Sequence, residues 1–474
     1  MEISHDRGVA PALSVRLGAL LVTLERGLIE RGREVRLALL AALAGEHSLL
    51  IGPPGTAKSE LARRLHRAFA GASYFERLLT RFSVPEELFG PLSISALEHD
   101  RYERHTAGFL PEASIAFIDE VFKANSAILN ALLTLLNERE FDNGAGRQRC
   151  PLVSVIGATN EVPADEVGEA FFDRFLLRLP VSPVSETGFG ALLELEPARD
   201  ENPATALDEA DRAALAARAA RVCLGEAVAR LLAELRGWLA QGGHYVSDRR
   251  WVKIAALLRV AAASEGRPSV AVWDLWLLPW CVAADAAGQR EVGEWLVTRL
   301  GVHEAFAPPR LTRVVEAFEA QLQGEREAND LDYDEAGRLR FSASETPGEL
   351  ADDVGDAKGA SRALRMTYAR KRRYGARHIG ARTAQIDALL LRIDGYAAEL
   401  ATQRAGLADY VARSLWLDRE FAARIDANLA ATGATIAQLR ARALGARDGF
   451  EALPRLSGDV GVAPAPVVHE PLDA

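Results

Sequence analysis

The stretch Gly52-Pro53-Pro54-Gly55-Thr56-Ala57-Lys58-Ser59-Glu60 concentrates the residue types that hold a polyphosphate. Glycines let consecutive backbone N–H groups turn inward. A helix N-terminus adds the favourable end of its dipole, and a lysine adds a mobile positive charge. In that pattern Lys58 pairs with the β- and γ-phosphates, and the Ser59 hydroxyl ligates Mg²⁺. One position departs from the usual G-x-x-x-x-G-K-[ST] spelling: Ala57 stands where glycine is common. A methyl group fits there if residue 57 keeps a negative φ and turns directly into the helix. The alternative is an ordinary strand–turn–helix with a fortuitous lysine.

A second element follows in SIAFIDEVFKANSAILNALLTLLNERE. A hydrophobic strand ends in Asp119-Glu120, and strand alternation is expected to aim the two carboxylates apart. Asp119 can join Ser59 in the Mg²⁺ shell, while Glu120 can activate a water for in-line attack. The competing role for Asp119 is a cap on the next helix. A third element, LVSVIGATNEV, ends a strand in Thr159-Asn160 and offers an amide near the γ-phosphate. A fourth, EAFFDRFLLRLPV, carries Arg174, which could equally be a surface partner of Asp173 or Glu169.

These groups need a scaffold, and the hydrophobic pattern supplies one. SLLIG, FERLLTRF, IAFID, LVSVIGATN and FLLRLPV read as five strands alternating with helices such as ELARRLHRAFAG. That alternation implies an α/β fold with a mostly parallel sheet covered on both faces. Ligands in such sheets bind at the C-terminal ends of the strands, where Gly52, Asp119 and Asn160 are expected. After about residue 197 the pattern turns helical. Ile386, Ile393, Leu400 and Leu407 recur every seven residues, as in a helix packed lengthwise on another.

The chain has 474 residues with 49% hydrophobic and 26% charged residues, enough for several packed domains. Its formal net charge of −10 weighs against wholesale nucleic-acid binding. Cys150, Cys223 and Cys281 show no metal or disulfide spacing, the N-terminus lacks a secretory pattern, and no run is apolar enough to span a membrane. A cytoplasmic location is expected.

Taken in order, GPPGTAKS, IAFIDE, GATNE, FFDRF and SDRR resemble the AAA+ ATPases of the MoxR group, whose loop is spelled G-x-P-G-x-A-K-[ST]. GLIERGREVRLALLAALAGE, RFSVPEELFGPLSISALEHDRYERHTAGFLPEA and SDRRWVKIAALL are similar to its RavA branch (regulatory ATPase variant A). The resemblance implies a P-loop NTPase core, an all-α lid, ATP or ADP with Mg²⁺, and a homo-hexamer that remodels protein partners. Gly52, Pro53, Pro54, Gly55, Thr56, Ala57, Lys58, Ser59 and Glu60 with Asp119 would bind nucleotide, and Ser59 and Asp119 the metal. Glu120 would be the catalytic carboxylate, Asn160 sensor 1, and Arg174 the arginine finger completing a neighbouring subunit's site. Arg249 would be sensor 2, with Arg250 beside it as the alternative. Residues 89–113 would form an inserted hairpin near the pore. EREFDNGAGRQR reads independently as a second hairpin turning at Asn143-Gly144.

The domain reading is an α/β core over 1–198, a lid over 199–302, a helical domain from 303–328 and 383–452, an insert at 329–382 and a disordered tail at 453–474. The RavA branch also implies a von Willebrand factor A companion and a lysine decarboxylase partner. The insert here holds one hairpin-like run, LDYDEAGRLRFSA, and is short for the decarboxylase-binding module, which counts against that partner. Residues 325–356 carry eleven acidic and three basic residues, whereas 357–386 carry nine basic and no acidic ones. Mutual neutralisation is the simpler reading of that contrast, because two tyrosines make a poor stacking platform for nucleic acid. A nucleic-acid-stimulated motor and a non-hydrolysing nucleotide switch remain rival functions.

Overall fold

The computed structural model describes residues 12–144, 146–162, 166–195, 205–302, 306–331, 369–456 and 462–472. They fall into two compact units: 1–300 with 407–425, and 301–406 with 426–474.

In the first unit, α1 (Leu13–Glu25) and α2 (Gly32–Leu43) precede β1 (His47–Ile51) and α3 (Lys58–Arg67). On α1 the buried residues are Leu17, Leu20, Leu21 and Leu24, one stripe at helical spacing. Then come β2 (Tyr74–Leu78), the short α4 (Glu86–Phe89) and α5 (Ile94–Leu97), β3 (Ile115–Asp119), α6 (Ser126–Glu138), β4 (Glu140–Asn143), β5 (Gly146–Arg149), β6 (Ser154–Thr159), α7 (Glu166–Phe172) and β7 (Phe175–Pro180). The main sheet has the order β2-β3-β6-β1-β7, and every pairing in it is parallel. Its inner strands β1, β3 and β6 are mostly apolar and buried, as helices on both faces require, whereas the edge strand β2 is only partly buried. Leu49, Phe75, Ile118, Leu132, Phe171 and Phe175 share one core on one side of the sheet.

His47 anchors the start of β1. The Val155 N–H donates to its Nδ1 at 3.0 Å, so Nε2 carries the proton and donates to the Leu136 carbonyl at 3.1 Å. Complete burial, with Arg139 nearby, pushes its pKa down to about 3.

The helical portion comprises α8 (Glu186–Leu193), α9 (Glu209–Ala219), α10 (Glu226–Gln241), α11 (Asp248–Ser264), α12 (Leu278–Val282) and α13 (Ala286–Arg299). Residues 407–425 join this unit through buried polar bonds. Trp416 Nε1 donates to Ser264 Oγ at 2.8 Å, and the Glu265 carboxylate accepts from Leu415 N–H at 2.7 Å and Ser414 Oγ at 2.8 Å.

The second unit contains α14 (Pro308–Glu327), the antiparallel pair β8 (Asn329–Leu331) and β9 (Ala369–Lys371), and most of α15 (Ala376–Arg413) and α16 (Arg419–Glu451). Ile386, Ile393, Leu400 and Leu407 are all buried, as their heptad spacing implies.

Several expectations need correction. Residues 89–113 are not a strand hairpin: they form a loop holding α5 and closed by a single bridge, Leu92 to Arg104. The β4–β5 hairpin exists, but Asn143 pairs with Gly146, so the turn centres one residue later than Asn143-Gly144. Asn143 spends its side chain instead on the Arg104 backbone, at 2.7 Å to the N–H and 3.2 Å to the carbonyl. Gly144 has φ +70° and lies against the Tyr102 carbonyl where any Cβ would collide. The tail is not wholly disordered. Val467 and Leu472 are buried in the second unit's core, and Glu470 is clasped by Arg313 at 2.7 Å. Two apolar anchors and an ion pair outweigh its proline-rich composition. The expected hairpin beyond Leu331 and the basic segment 357–368 lie outside the described residues.

Candidate active site

The loop leaving β1 is tied to its neighbours on both sides. Gly52 N–H donates to the Thr159 carbonyl at 3.0 Å, and Val181 N–H to the Ile51 carbonyl at 2.7 Å. A Cβ on Gly52 would sit 2.0 Å from the Val181 carbonyl oxygen, so only glycine allows this approach. Gly55 follows with φ +79°. Ala57 overturns the expectation of a negative φ: it has φ 64° and ψ 24°, in the left-handed region. The chain must reverse sharply there to aim successive N–H groups into the loop before helical geometry begins, and alanine accepts that conformation at some strain. Lys58 starts α3, and its Nζ donates to the Gly52 and Pro53 carbonyls at 2.7 and 2.8 Å. Burial lowers its pKa, while Asp119 and Glu120 oppose that shift.

The acid pair lies beside it, since Ile51 is in register with Thr159 and Ile118 with Gly157. Asp119 Oδ1 accepts the Glu120 N–H at 3.0 Å. Capping of α6 falls to Asn125, whose side chain accepts from the Ile128 N–H, so Asp119 is not needed there. Glu120 has φ 51° and has left the strand. Strand alternation therefore does not set the direction of the Glu120 carboxylate. Glu120 Oε1 accepts from Asn160 Nδ2 at 2.8 Å, and Oε2 lies 3.3 Å from Lys123 Nζ. Asn160 therefore grips the carboxylate expected to activate water.

This edge suits a magnesium triphosphate. It offers a loop turned through left-handed Gly55 and Ala57, a lysine, and one hydroxyl and one carboxylate, Ser59 and Asp119, the sparse hard-oxygen set that could hold a Mg²⁺ shared with phosphate. Among the described residues no three His, Cys, Asp or Glu side chains cluster as a metal site of their own.

The arginines lie at the other end of the sheet. Phe175 pairs with His47 at the start of β1, whereas Pro180 pairs with Ile51 at its end. Arg174 precedes Phe175, so roughly 15 Å of strand separates it from its own phosphate loop. There Asp173 meets four guanidinium groups. Oδ1 lies 3.1 Å from Arg250 and 3.9 Å from Arg178; Oδ2 lies 3.1 Å from Arg249 and 3.8 Å from Arg174. Arg250 is buried and also donates to the carbonyls of Phe175 and Leu176 at 2.8 and 2.9 Å. Arg249 is half-exposed and donates to Asp173. Of the two candidates for sensor 2, Arg250 is thus committed to holding α11 on β7, and Arg249 faces outward. Burial lowers the Arg174 pKa, Arg249 lowers it further, and Asp173 opposes both.

Residues 15–218 match the family described as the MoxR domain in the MoxR-vWA-beta-propeller ternary systems, and residues 227–296 match an AAA lid domain. This stretch is similar to a MoxR domain followed by an AAA lid. Two uncharacterized proteins of Methanocaldococcus jannaschii are each 41% identical over 252 residues, 53% of this chain. The chain spans 65% and 66% of those relatives, just under two thirds. Protein MoxR of Paracoccus denitrificans is 29% identical over 171 residues, 35% of this chain and 50% of that protein. A protein of solved structure from Cytophaga hutchinsonii is 16% identical with a TM-score of 0.48, covering 60% of this chain and 93% of its own.

Sequence reading missed one part of this site. Arg31, buried before α2, donates to the Thr56 carbonyl at 3.2 Å and the Ser182 carbonyl at 2.6 Å. Glu30, at φ 54°, accepts from the Ser185 N–H at 2.8 Å. These two residues staple the phosphate loop to the segment that leads into α8. Only the glycine-flanked GLIERG hinted at it, because an arginine that bonds carbonyls carries no motif.

Proposed function

We propose that this chain hydrolyses ATP at contacts between copies of itself and uses the cycle to remodel protein partners. One observation carries the reading: the phosphate loop and acid pair share one edge of the sheet, while Arg174 sits at the opposite edge. An arginine so placed serves a triphosphate held by another copy, where it offsets charge developing on the transferring phosphoryl group. Backbone N–H groups of residues 52–59 and Lys58 would hold the phosphates. Ser59 and Asp119 would hold Mg²⁺, which when bound neutralises phosphate charge. Glu120 would orient the attacking water and take its proton, with Asn160 fixing its carboxylate.

Six copies in a ring, a RavA-like mode of action and a cytoplasmic setting belong to this proposal and follow the sequence resemblance. A von Willebrand factor A companion is supported further by the description of the matched family. A lysine decarboxylase is not proposed, because the sequence insert is short and residues 332–368 lie outside the described ones.

The test is steady-state ATP turnover. Glu120→Gln should lower it on the order of a hundredfold or more while nucleotide still binds. Turnover per subunit should also rise with protein concentration. Intact protein no faster than Glu120→Gln would make the chain a nucleotide switch instead.

A further inference from the structure

We propose that Asp173 is a positioning residue that presents Arg174 and Arg249 as a matched pair to the triphosphate of a second copy. The proposal rests on the ATPase reading above. Four guanidinium charges face one carboxylate, so three positive charges are left over at this edge. Glu46, the other acid acting on this group, is already engaged by Lys253 at 2.6 Å. Such a surplus favours an approaching anion, and a polyphosphate fits the half-exposed Arg249 beside the mostly buried Arg174.

The two oxygens of Asp173 divide the work. Oδ1 faces the buried arginines, which have other support: Arg250 bonds the Phe175 and Leu176 carbonyls, and Arg178 lies 4.0 Å from the Phe172 ring. Oδ2 faces Arg249, which is half-exposed, and Arg174, which is mostly buried, and both have little else. Arg174 Nε has no hydrogen-bond partner, and Arg249 Nη2 donates to Oδ2 at 3.1 Å. Arg174 comes from the α7–β7 junction and Arg249 from the second residue of α11. A single carboxylate oxygen therefore gathers two long, rotamer-rich side chains from different elements into one orientation. Ordering them beforehand removes that cost from the reaction step.

Asp173→Asn retains an acceptor for Arg250 but turns an uncharged amide toward Arg174 and Arg249. It should leave nucleotide affinity, measured by calorimetry with a non-hydrolysable ATP analogue, within about twofold, and lower kcat roughly ten- to a hundredfold, as loss of one preorganised charge does. The deciding measurement mixes subunits. An Asp173→Asn subunit has an intact Glu120 but a loosened arginine pair, and a Glu120→Gln subunit has the reverse. Their mixture should turn over faster than the sum of the two separate preparations. Asp173→Glu, which keeps the charge, should recover part of the turnover lost in Asp173→Asn, and it serves as the mixing partner if the asparagine variant melts early. Wild-type protein without turnover would overturn the ATPase reading and this one together. Active wild type beside a mixture no better than its parts would overturn the role of Asp173 alone.

Discussion

At the scale of single residues, the site departs from regular geometry where chemistry is expected. Ala57 and Glu120 both have positive φ, and both flank the proposed phosphate position. The strain at Ala57 is testable. Ala57→Gly removes about 1–2 kcal/mol of left-handed penalty and adds about 0.5–1 kcal/mol of unfolded-state entropy, for a net gain near 0.5–1 kcal/mol. Chemical denaturation would measure it; a loss of stability would mean residue 57 does not hold this conformation. Lys58→Ala should reduce nucleotide affinity by two orders of magnitude or more, as expected for a buried charge-assisted contact. Unchanged binding by calorimetry would contradict the loop's assignment. Motif residues were legible because glycine, lysine and paired acids are rare in that order. Arg31 was not, because its partners are carbonyls; Asp173 was visible only as a neighbour of Arg174, because Arg249 and Arg250 reach it from over seventy residues away.

At the scale of elements, inner strands such as β1 and β3 were legible because a sheet buried on both faces writes itself as short, mostly apolar runs. Turns were less so. Asn143-Gly144 has the composition of a hairpin centre, yet the side chain of Asn143 gains more by clamping Arg104 than by occupying the turn. Nothing local reveals a bond across thirty-nine residues. The same holds for His47, whose tautomer is set by α6 and β6. Its folded pKa of about 3 lies below the unfolded 6.5, so the fold binds fewer protons between those values. His47 therefore costs no stability above pH 6.5, and stability falls by about 1.4 kcal/mol per pH unit as pH drops from there toward 3. His47→Gln should flatten part of the denaturation midpoint's dependence on pH in that window, and an unchanged slope would show that His47 is not buried neutral.

At the scale of the molecule, composition misjudged the tail. Proline and valine suggested disorder, but Val467 and Leu472 reach buried seats in the second unit. Replacing both with aspartate should cost about 3–5 kcal/mol, as two lost aliphatic burials imply, and melting of that unit should shift accordingly. No change would return the tail to solvent. The heptad run gave no hint that its far end packs with the first unit. The first unit is completed by residues 407–425, whose Trp416 lodges under Ser264. A ribosome making this chain cannot release a finished nucleotide module when Leu300 emerges. The seat of Trp416 stays open until more than a hundred further residues have been synthesised, and through that interval the nascent chain exposes an apolar hollow to whatever chaperone is near.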